Sequence, residues 1–242
     1  INGDGFTDLI IGAPDAMPHE ITSAGSSYIV FGKALHNSPI NLQEIVNTDG
    51  GFVVHGESFD DEVGFSVSSA GDINGDGLDD LIIGAQGKND ATGSTYVVFG
   101  KEVYNSLIQI SDIADGNGGF VINGESAWER SGYSVSSAGD INGDGLGDLI
   151  IGAYGADPNE KTDAGSSYVI FGKSDNNEVV QLSEIVNGNG GFAIHGENLS
   201  IWNDLSGISV SSAGDMNSDG WADLLIGANG ANNKTGTSYV IL

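Results

Sequence analysis

The chain contains no cysteine and few basic residues, and both absences restrict its chemistry. Without cysteine there is no disulfide framework, no thiolate metal ligand and no thiol nucleophile. Only 7 Lys and Arg stand against 34 Asp and Glu, which gives a formal net charge of -27. Such a surface repels nucleic acid and anionic lipid and attracts cations, so we expect no nucleic-acid partner.

Long apolar runs and helical periodicity are also missing. No apolar run approaches the roughly 18 residues that span a bilayer, so we expect no membrane insertion. The first residues, INGDGFTD, lack the basic and apolar regions of a signal peptide. The stretches NLQEIVN and QLSEIVN are at most single helical turns within connections.

Internal repetition is the strongest feature that is present. The block GDINGDGLDDLIIGA at 71–85 returns at 139–153 and, as GDMNSDGWADLLIGA, at 214–228, and INGDGFTDLIIGA at 1–13 is a fourth copy without its first two residues. Further shared segments resemble SVSSAGD, SSYVVFG and GGFVVHGE. Short runs rich in Val, Ile, Tyr and Phe between Gly and Asx clusters are typical of strands, so each unit has four: A (SVSSAGD), B (DLIIGA), C (SSYVVFG) and D (GFVVHGE).

A repeat of about 70 residues with four antiparallel strands predicts one blade of a β-propeller. The chain is therefore expected to be all-β, with about three and a half blades in a single domain or segment, 1–242. The predicted repeats are 1–62 (partial), 63–131, 132–206 and 207–242 (partial).

The loop between strands A and B carries oxygen-bearing residues at alternate positions around a glycine. An EF-hand is excluded, because its bidentate Glu at position twelve is replaced by Ile83, Ile151 and Ile226. An Asp at position nine stands in its place, directly before strand B. The predicted ligands are Asp72, Asn74, Asp76, Asp80 and the Leu78 carbonyl; Asp140, Asn142, Asp144, Asp148 and the Leu146 carbonyl; and Asp215, Asn217, Asp219, Asp223 and the Trp221 carbonyl.

An all-oxygen donor set predicts Ca²⁺ at these three loops, since Mg²⁺ demands stricter octahedral geometry and transition metals recruit His or Cys. A fourth, partial site at the N-terminus retains Asn2, Asp4, the Phe6 carbonyl and Asp8 but lacks the leading Asp. The alternative is an Asx-rich turn without an ion. Several carboxylates in each loop favour the ion, because it offsets their mutual repulsion.

The combination of GFSVSSAGD, NGDG, DLIIGA and YVVFG resembles the FG-GAP repeat of integrin alpha subunits over essentially the whole chain. Phe65 matches the Phe at the start of strand A, whereas Tyr133 and Ile208 depart from it. The resemblance implies a seven-bladed propeller with calcium in the A–B hairpins. Because animal integrin propellers contain disulfides, the absence of cysteine favours a microbial relative.

Beginning at strand B and ending at strand C, the chain holds 14 predicted strands, too few for seven blades of four. We favour a part of a larger, seven-bladed propeller. A small four-bladed ring, or edges completed by another subunit, is the alternative, because unpaired edge strands invite pairing.

Antiparallel alternation places the B–C and D–A connections at the end of each blade opposite the A–B loops. Loops on a rigid scaffold are where binding usually occurs, and the resemblance implies a ligand face at this end. Its candidate anchors are Phe59, Trp128, Arg130 and Trp202. The alternative is that Trp128 and Trp202 fill gaps between blades.

No catalytic motif is recognisable, and His55 and His195 occupy a position that Asn123 fills in the second repeat, which argues against a catalytic histidine. We expect a non-enzymatic, calcium-stabilised module that is secreted or exposed at the cell surface and recognises a protein or glycan in adhesion. The alternatives are a lectin-like propeller, and a subunit of a surface layer or filament that self-associates through open blade edges.

Overall fold

The computed structural model of the chain describes residues 1–33, 39–45, 50–105, 107–174, 178–197 and 203–242. Its strands are β1 Leu9–Ala13, β2 Ser26–Val30, β3 Gly51–His55, β4 Ser66–Gly71, β5 Asp80–Ala85, β6 Ser94–Val98, β7 Leu107–Gln109, β8 Gly119–Asn123, β9 Ser134–Gly139, β10 Asp148–Ala153, β11 Ser166–Ile170, β12 Val180–Gln181, β13 Gly191–His195, β14 Ser206–Gly214, β15 Asp223–Ala228 and β16 Thr237–Ile241.

The helices are short, as the lack of helical periodicity predicts. They are α1 Leu42–Ile45, α2 Lys88–Ala91, α3 Ile110–Ala114, α4 Leu182–Val186 and α5 Ala231–Lys234, with 3-10 turns at Pro18–Glu20 and Pro158–Glu160. In the described part of the chain, no helix has the length and apolar character needed to cross a bilayer.

The strands form four sheets, one for each repeat, in the predicted A-B-C-D order. The second blade runs β4, β5, β6, β8, and the third runs β9, β10, β11, β13, with every one of these neighbours antiparallel. The first blade begins at its B strand, β1, and the fourth ends at its C strand, β16. The all-β propeller-blade architecture is thereby confirmed.

Two short strands were not predicted. β7 and β12 lie in the C–D connections and pair in parallel with the outermost strand of the preceding blade. Their registers join Ile108 to Val54 and Val180 to Ile122. The second and third repeats therefore each add an outer strand to the preceding blade and cover a D-strand edge that would otherwise be open.

The hydrophobic core lies between successive blades rather than within one. On β5, Leu81 and Ile83 pack against the first blade, whereas Ile82 packs against the third. Because both faces of the sheet are covered, strand B is apolar at successive positions instead of alternating with polar residues. A smaller cluster around Ile150, Val210 and Leu224 joins the third and fourth blades.

The glycine of the repeated IGA sequence marks the closest approach of neighbouring blades. A β-carbon on Gly84 would lie 2.0 Å from the carbonyl oxygen of Gly132, and one on Gly152 would lie 1.9 Å from that of Gly207. No side chain fits there without displacing backbone. At the same position in the fourth blade, a β-carbon on Gly227 would lie 3.5 Å from its nearest neighbour, the β-carbon of Ser209.

Candidate metal sites

The A–B loops are exposed bends that connect a serine-rich inner strand to the buried strand B. In the second blade Gly71, Gly75 and Gly77 have φ of +70°, +77° and +89°, which L side chains rarely adopt. These left-handed residues turn the chain so that its polar side chains point into the loop. In the fourth blade Ser218 takes the place of the middle glycine with φ of +62°.

The position-one carboxylate organises each complete loop. Oδ1 of Asp72 accepts the backbone N–H groups of Gly75 at 2.7 Å and Asp76 at 3.1 Å, and Oδ2 accepts that of Gly77 at 2.9 Å. Asp140 repeats all three bonds, and Asp215 repeats the last two. An aspartate is thus needed here for the turn itself, apart from any ion.

Positions three and five are linked to each other. Oδ1 of Asn74 accepts the N–H of Asp76 at 2.9 Å, and its Nδ2 donates to Oδ2 of Asp76 at 2.9 Å. Oδ1 of Asp76 accepts the N–H of Leu78 at 2.9 Å. The equivalent bonds recur at Asn142 with Asp144 and at Asn217 with Asp219.

The position-nine aspartate is the buried member of the loop. Asp80 is 0% exposed, and its two oxygens accept the N–H groups of Gly100 at 2.7 Å and Ile73 at 3.0 Å. Burial raises the pKa of Asp80 to about 7, against the opposing effect of these two bonds, and Asp76 and Asp72 add a smaller increase. The pKa of Asp148 is raised for the same reasons. These residues connect the A–B loop to the segment that follows strand C.

In the fourth blade the position-nine aspartate is also buried. Oδ2 of Asp223 accepts the N–H of Met216 at 2.6 Å, as Oδ2 of Asp80 accepts that of Ile73. In the first blade Asp8 accepts the N–H of Gly32 at 2.8 Å and pairs with the amino group of Ile1 at 3.0 Å. The N-terminal loop keeps Asn2 and Asp4 linked at 3.0 Å, as in the complete copies.

Neighbouring loops touch through position seven, a contact that the spacing alone did not predict. A β-carbon on Gly75 would lie 3.0 Å from Cδ2 of Leu146, and one on Gly143 would lie 2.5 Å from the Trp221 ring. Leu78 approaches Gly3 of the first loop in the same way, at 2.9 Å from the β-carbon position. The side chain at position seven therefore lies over the preceding loop, while Phe6 in the first loop is 50% exposed.

The donor chemistry of the loops suits a hard cation, but the carboxylates are not drawn together. Among the described residues, no group of three or more His, Cys, Asp or Glu side chains is arranged to hold a metal. The loop oxygens instead accept backbone amides. A carboxylate oxygen has two lone pairs, so an amide bond leaves it able to coordinate an ion.

The predicted ligand-face residues have different environments. Phe59 is 72% exposed and Trp128 is 68% exposed, so Trp128 does not fill a gap between blades. Arg130 is half-buried, and its Nη1 donates to Oε1 of Gln86 at 3.3 Å. Trp202 lies outside the described residues.

An aromatic cluster beside these residues was not anticipated. The ring centroids of Phe65 and Tyr133 are 4.8 Å apart, and those of Tyr133 and Tyr154 are 4.6 Å apart. Tyr133 replaces the Phe expected at the start of strand A, and its ring packs against that of Phe65 in the adjacent blade at a tilt of 41°. The departure from the repeat pattern therefore preserves the packing.

Comparison with known families identifies the repeat. The FG-GAP repeat model matches residues 1–30, 63–98, 131–170 and 206–241, and each complete match contains strands A to C with the loop between A and B. The chain belongs to the FG-GAP repeat family. The D strands and the short parallel strands lie outside the matched ranges.

Integrin alpha subunits are among the relatives of this FG-GAP chain. Integrin alpha pat-2 of Caenorhabditis elegans is 30% identical over 247 residues, covering 100% of this chain and 18% of the relative. Integrin alpha-V of Gallus gallus is 30% identical over 161 residues, covering 65% of this chain and 14% of the relative. Integrin alpha-7 of Mus musculus is 27% identical over 154 residues, covering 63% and 11%.

The chain thus spans less than a fifth of the length of these relatives. All three are animal proteins, which lends no support to the microbial origin expected from the absence of cysteine.

Proposed function

We propose that the chain is a calcium-stabilised, non-enzymatic recognition module of the integrin alpha type, acting in adhesion outside the cell or at its surface. The observation that carries the proposal is the position-nine aspartate. It is buried in each of the three complete loops, and in two of them the charges of the other loop aspartates raise its pKa further. A buried anion needs a compensating partner, and backbone amides supply only part of that compensation.

A calcium ion in each complete loop would supply the rest. The ligands would be the side chains at positions one, three, five and nine and the position-seven carbonyl, all of them oxygen donors. With the ion bound, repulsion among the carboxylates becomes attraction to a shared divalent charge.

The overall charge supports the same assignment. A net charge of -27 on 242 residues concentrates cations near the surface and opposes compaction, so divalent binding stabilises the fold. Extracellular calcium modules bind with Kd of about 10⁻⁴ to 10⁻³ M, so such sites fill outside the cell.

Ligand recognition is assigned to the end of the blades opposite the calcium loops. Exposed large aromatic side chains on loops of a rigid scaffold are common anchors of protein interfaces, and Phe59 and Trp128 fit that description. Kinship with integrin alpha subunits favours a protein ligand. Binding of a glycan at the same loops and self-association through open edges stay predictions.

The test compares thermal unfolding in EDTA with unfolding in saturating Ca²⁺. Calcium is expected to raise the midpoint for the natural chain and to raise it less for Asp76→Ala and Asp144→Ala. Asp79→Ala is the matched control, because position eight varies among Asp79, Gly147 and Ala222 without a role in the donor set. The proposal would be contradicted if Ca²⁺ did not raise the midpoint of unfolding, or raised it equally in the natural chain and all three variants.

A further inference from the structure

Two of the four histidines of the chain face each other in the first blade. The rings of His19, in the B–C connection, and His55, at the end of strand D, have centroids 5.8 Å apart and lie at 85° to each other. His19 is exposed and His55 is half-buried. Ser26, which pairs with His55, also pairs with Ala13 at the end of β1, so the two rings lie at the end of the blade away from the first A–B loop.

Gln109 completes the surroundings of this pair. It pairs with His55 where β7 adds to the first blade, and its Nε2 lies 3.5 Å from Nε2 of His19. Gln109 is also the N-cap residue of α3, and its buried Oε1 has no hydrogen-bond partner of good geometry among the described residues. Because the amide oxygen and nitrogen of a glutamine can exchange places by a flip, the oxygen can also face the histidines.

His55 is held in an orientation suited to metal binding. Its Nδ1 lies 2.9 Å from Oγ of Ser26, which leaves Nε2 available. A hydrogen bond from the second ring nitrogen to a neighbouring oxygen is the usual support of a metal-bound imidazole. Burial, with a smaller contribution from His19, lowers the pKa of His55 and so favours the neutral ring that a metal requires.

The other repeats show that the pair is not needed for the fold. In the third blade, whose B–C connection has the same length, Asn159 takes the place of His19 with nearly the same left-handed φ, 55° against 54°. His195 bonds Ser166 at 2.9 Å as His55 bonds Ser26, but it faces no second histidine at the position of Asn159. The hydrogen bond between the strand-end histidine and the serine opposite it therefore forms without a second histidine nearby.

We propose that His19 and His55, with the side-chain oxygen of Gln109, form a binding site for a transition-metal ion such as Zn²⁺, separate from the calcium loops. Imidazole suits Zn²⁺, Cu²⁺ and Ni²⁺, whereas Ca²⁺ takes oxygen ligands. With Zn–N bonds of about 2.0 Å, two imidazoles on one tetrahedral ion have centroids about 5 Å apart. A small rotation of the exposed His19 ring closes the difference from 5.8 Å.

The experiment titrates Zn²⁺ into the tag-free chain in saturating Ca²⁺, by calorimetry and by NMR of the histidine side chains. One zinc ion is expected to bind per chain and to shift the His19 and His55 resonances but not those of His195. His19→Asn and His55→Asn copy residues that the chain itself uses at these positions, and each should abolish the binding. Gln109→Ala should weaken it.

His36→Asn and His195→Asn are the controls and should bind as the natural chain does. Absence of saturable binding, its survival in His19→Asn, or its loss in either control overturns the proposal. Unchanged zinc affinity in Gln109→Ala would show that the Gln109 side chain is not a ligand and would overturn that part of the proposal. The His19 variant decides the matter even where His55→Asn fails to fold, because His19 is exposed and Asn suits its backbone. Zinc binding and calcium binding can fail independently, since they use different residues at opposite ends of the blade.

Discussion

Replacing Asp80 by alanine tests the part of the account that does not depend on calcium. The side chain accepts two buried backbone amides, from Gly100 at 2.7 Å and Ile73 at 3.0 Å, and the substitution leaves both without a partner. An orphaned buried donor costs about 1–3 kcal/mol, so the free energy of unfolding should fall by about 2–6 kcal/mol. For a chain of this length each kcal/mol lowers Tm by about 2–4 °C.

The assay is thermal or urea unfolding in EDTA at a pH of about 8, where a carboxyl with a pKa of about 7 is ionised. Asp80→Asn keeps one acceptor oxygen and should lose about 1–3 kcal/mol, because one amide still finds a partner. Asp79→Ala is the neighbouring control, and its side chain makes no hydrogen bond within the described residues. A Tm for Asp80→Ala equal to that of Asp79→Ala would refute the reasoning that the buried carboxylate fastens the hairpin.

Three further changes probe the blade contacts and the outer loops. Gly84→Ala and Gly152→Ala should each lower the free energy of unfolding by about 3 kcal/mol or more, because the new β-carbon meets a carbonyl oxygen of the next blade. Gly227→Ala should lower it less, and equal urea midpoints for the three variants would count against the close approach. Burial, and to a smaller extent the charge of Glu125, raise the pKa of Glu129 in the folded chain. Stability should therefore decline as pH rises from the pKa of Glu129 in the unfolded chain through its higher pKa in the folded chain. Melting curves over a pH series should show this decline for the natural chain and not for Glu129→Gln. Trp128→Ala, at a side chain 68% exposed, should change the free energy of unfolding by less than about 0.5 kcal/mol; a larger loss by calorimetry would mean that the ring packs between blades.

The strands and their order were predictable because the same local pattern recurs in every repeat. An apolar run such as DLIIGA, preceded by an Asx-Gly loop and followed by SSYVVFG, leaves little choice of period or of turn. The short strands β7 and β12 were not predictable, because two or three residues carry no periodic signal and their partners lie in another repeat. Their existence depends on the packing of whole blades.

The candidate site was predictable in its residues but only partly in its geometry. The spacing placed Asp72, Asn74 and Asp76 in one bend, and the structure joins them by hydrogen bonds as the turn requires. The spacing did not reveal that Asp80 accepts the N–H of Gly100, 20 residues later, because that contact forms only when strand C has folded beside strand B. The signal for it was an Asp standing directly before a wholly apolar strand, where a charge needs a buried partner.

The sequence predicted the exposure of the ligand-face side chains less well than it predicted the strands or the metal-site residues. Aromatic residues in loops either pack or protrude, and only the structure distinguishes Trp128, which protrudes, from Tyr133, which packs against Phe65. Arg130 lies between these two cases, because it is half-buried and its guanidinium contacts Gln86.

The most direct measurement is the number of Ca²⁺ ions that the chain binds, by equilibrium dialysis after exhaustive removal of divalent ions. The account predicts at least three ions per chain, one for each complete loop, with Kd of about 10⁻⁴ to 10⁻³ M, and one fewer ion after Asp144→Ala. No bound calcium at concentrations well above that range, or a stoichiometry unaffected by the substitution, would contradict it.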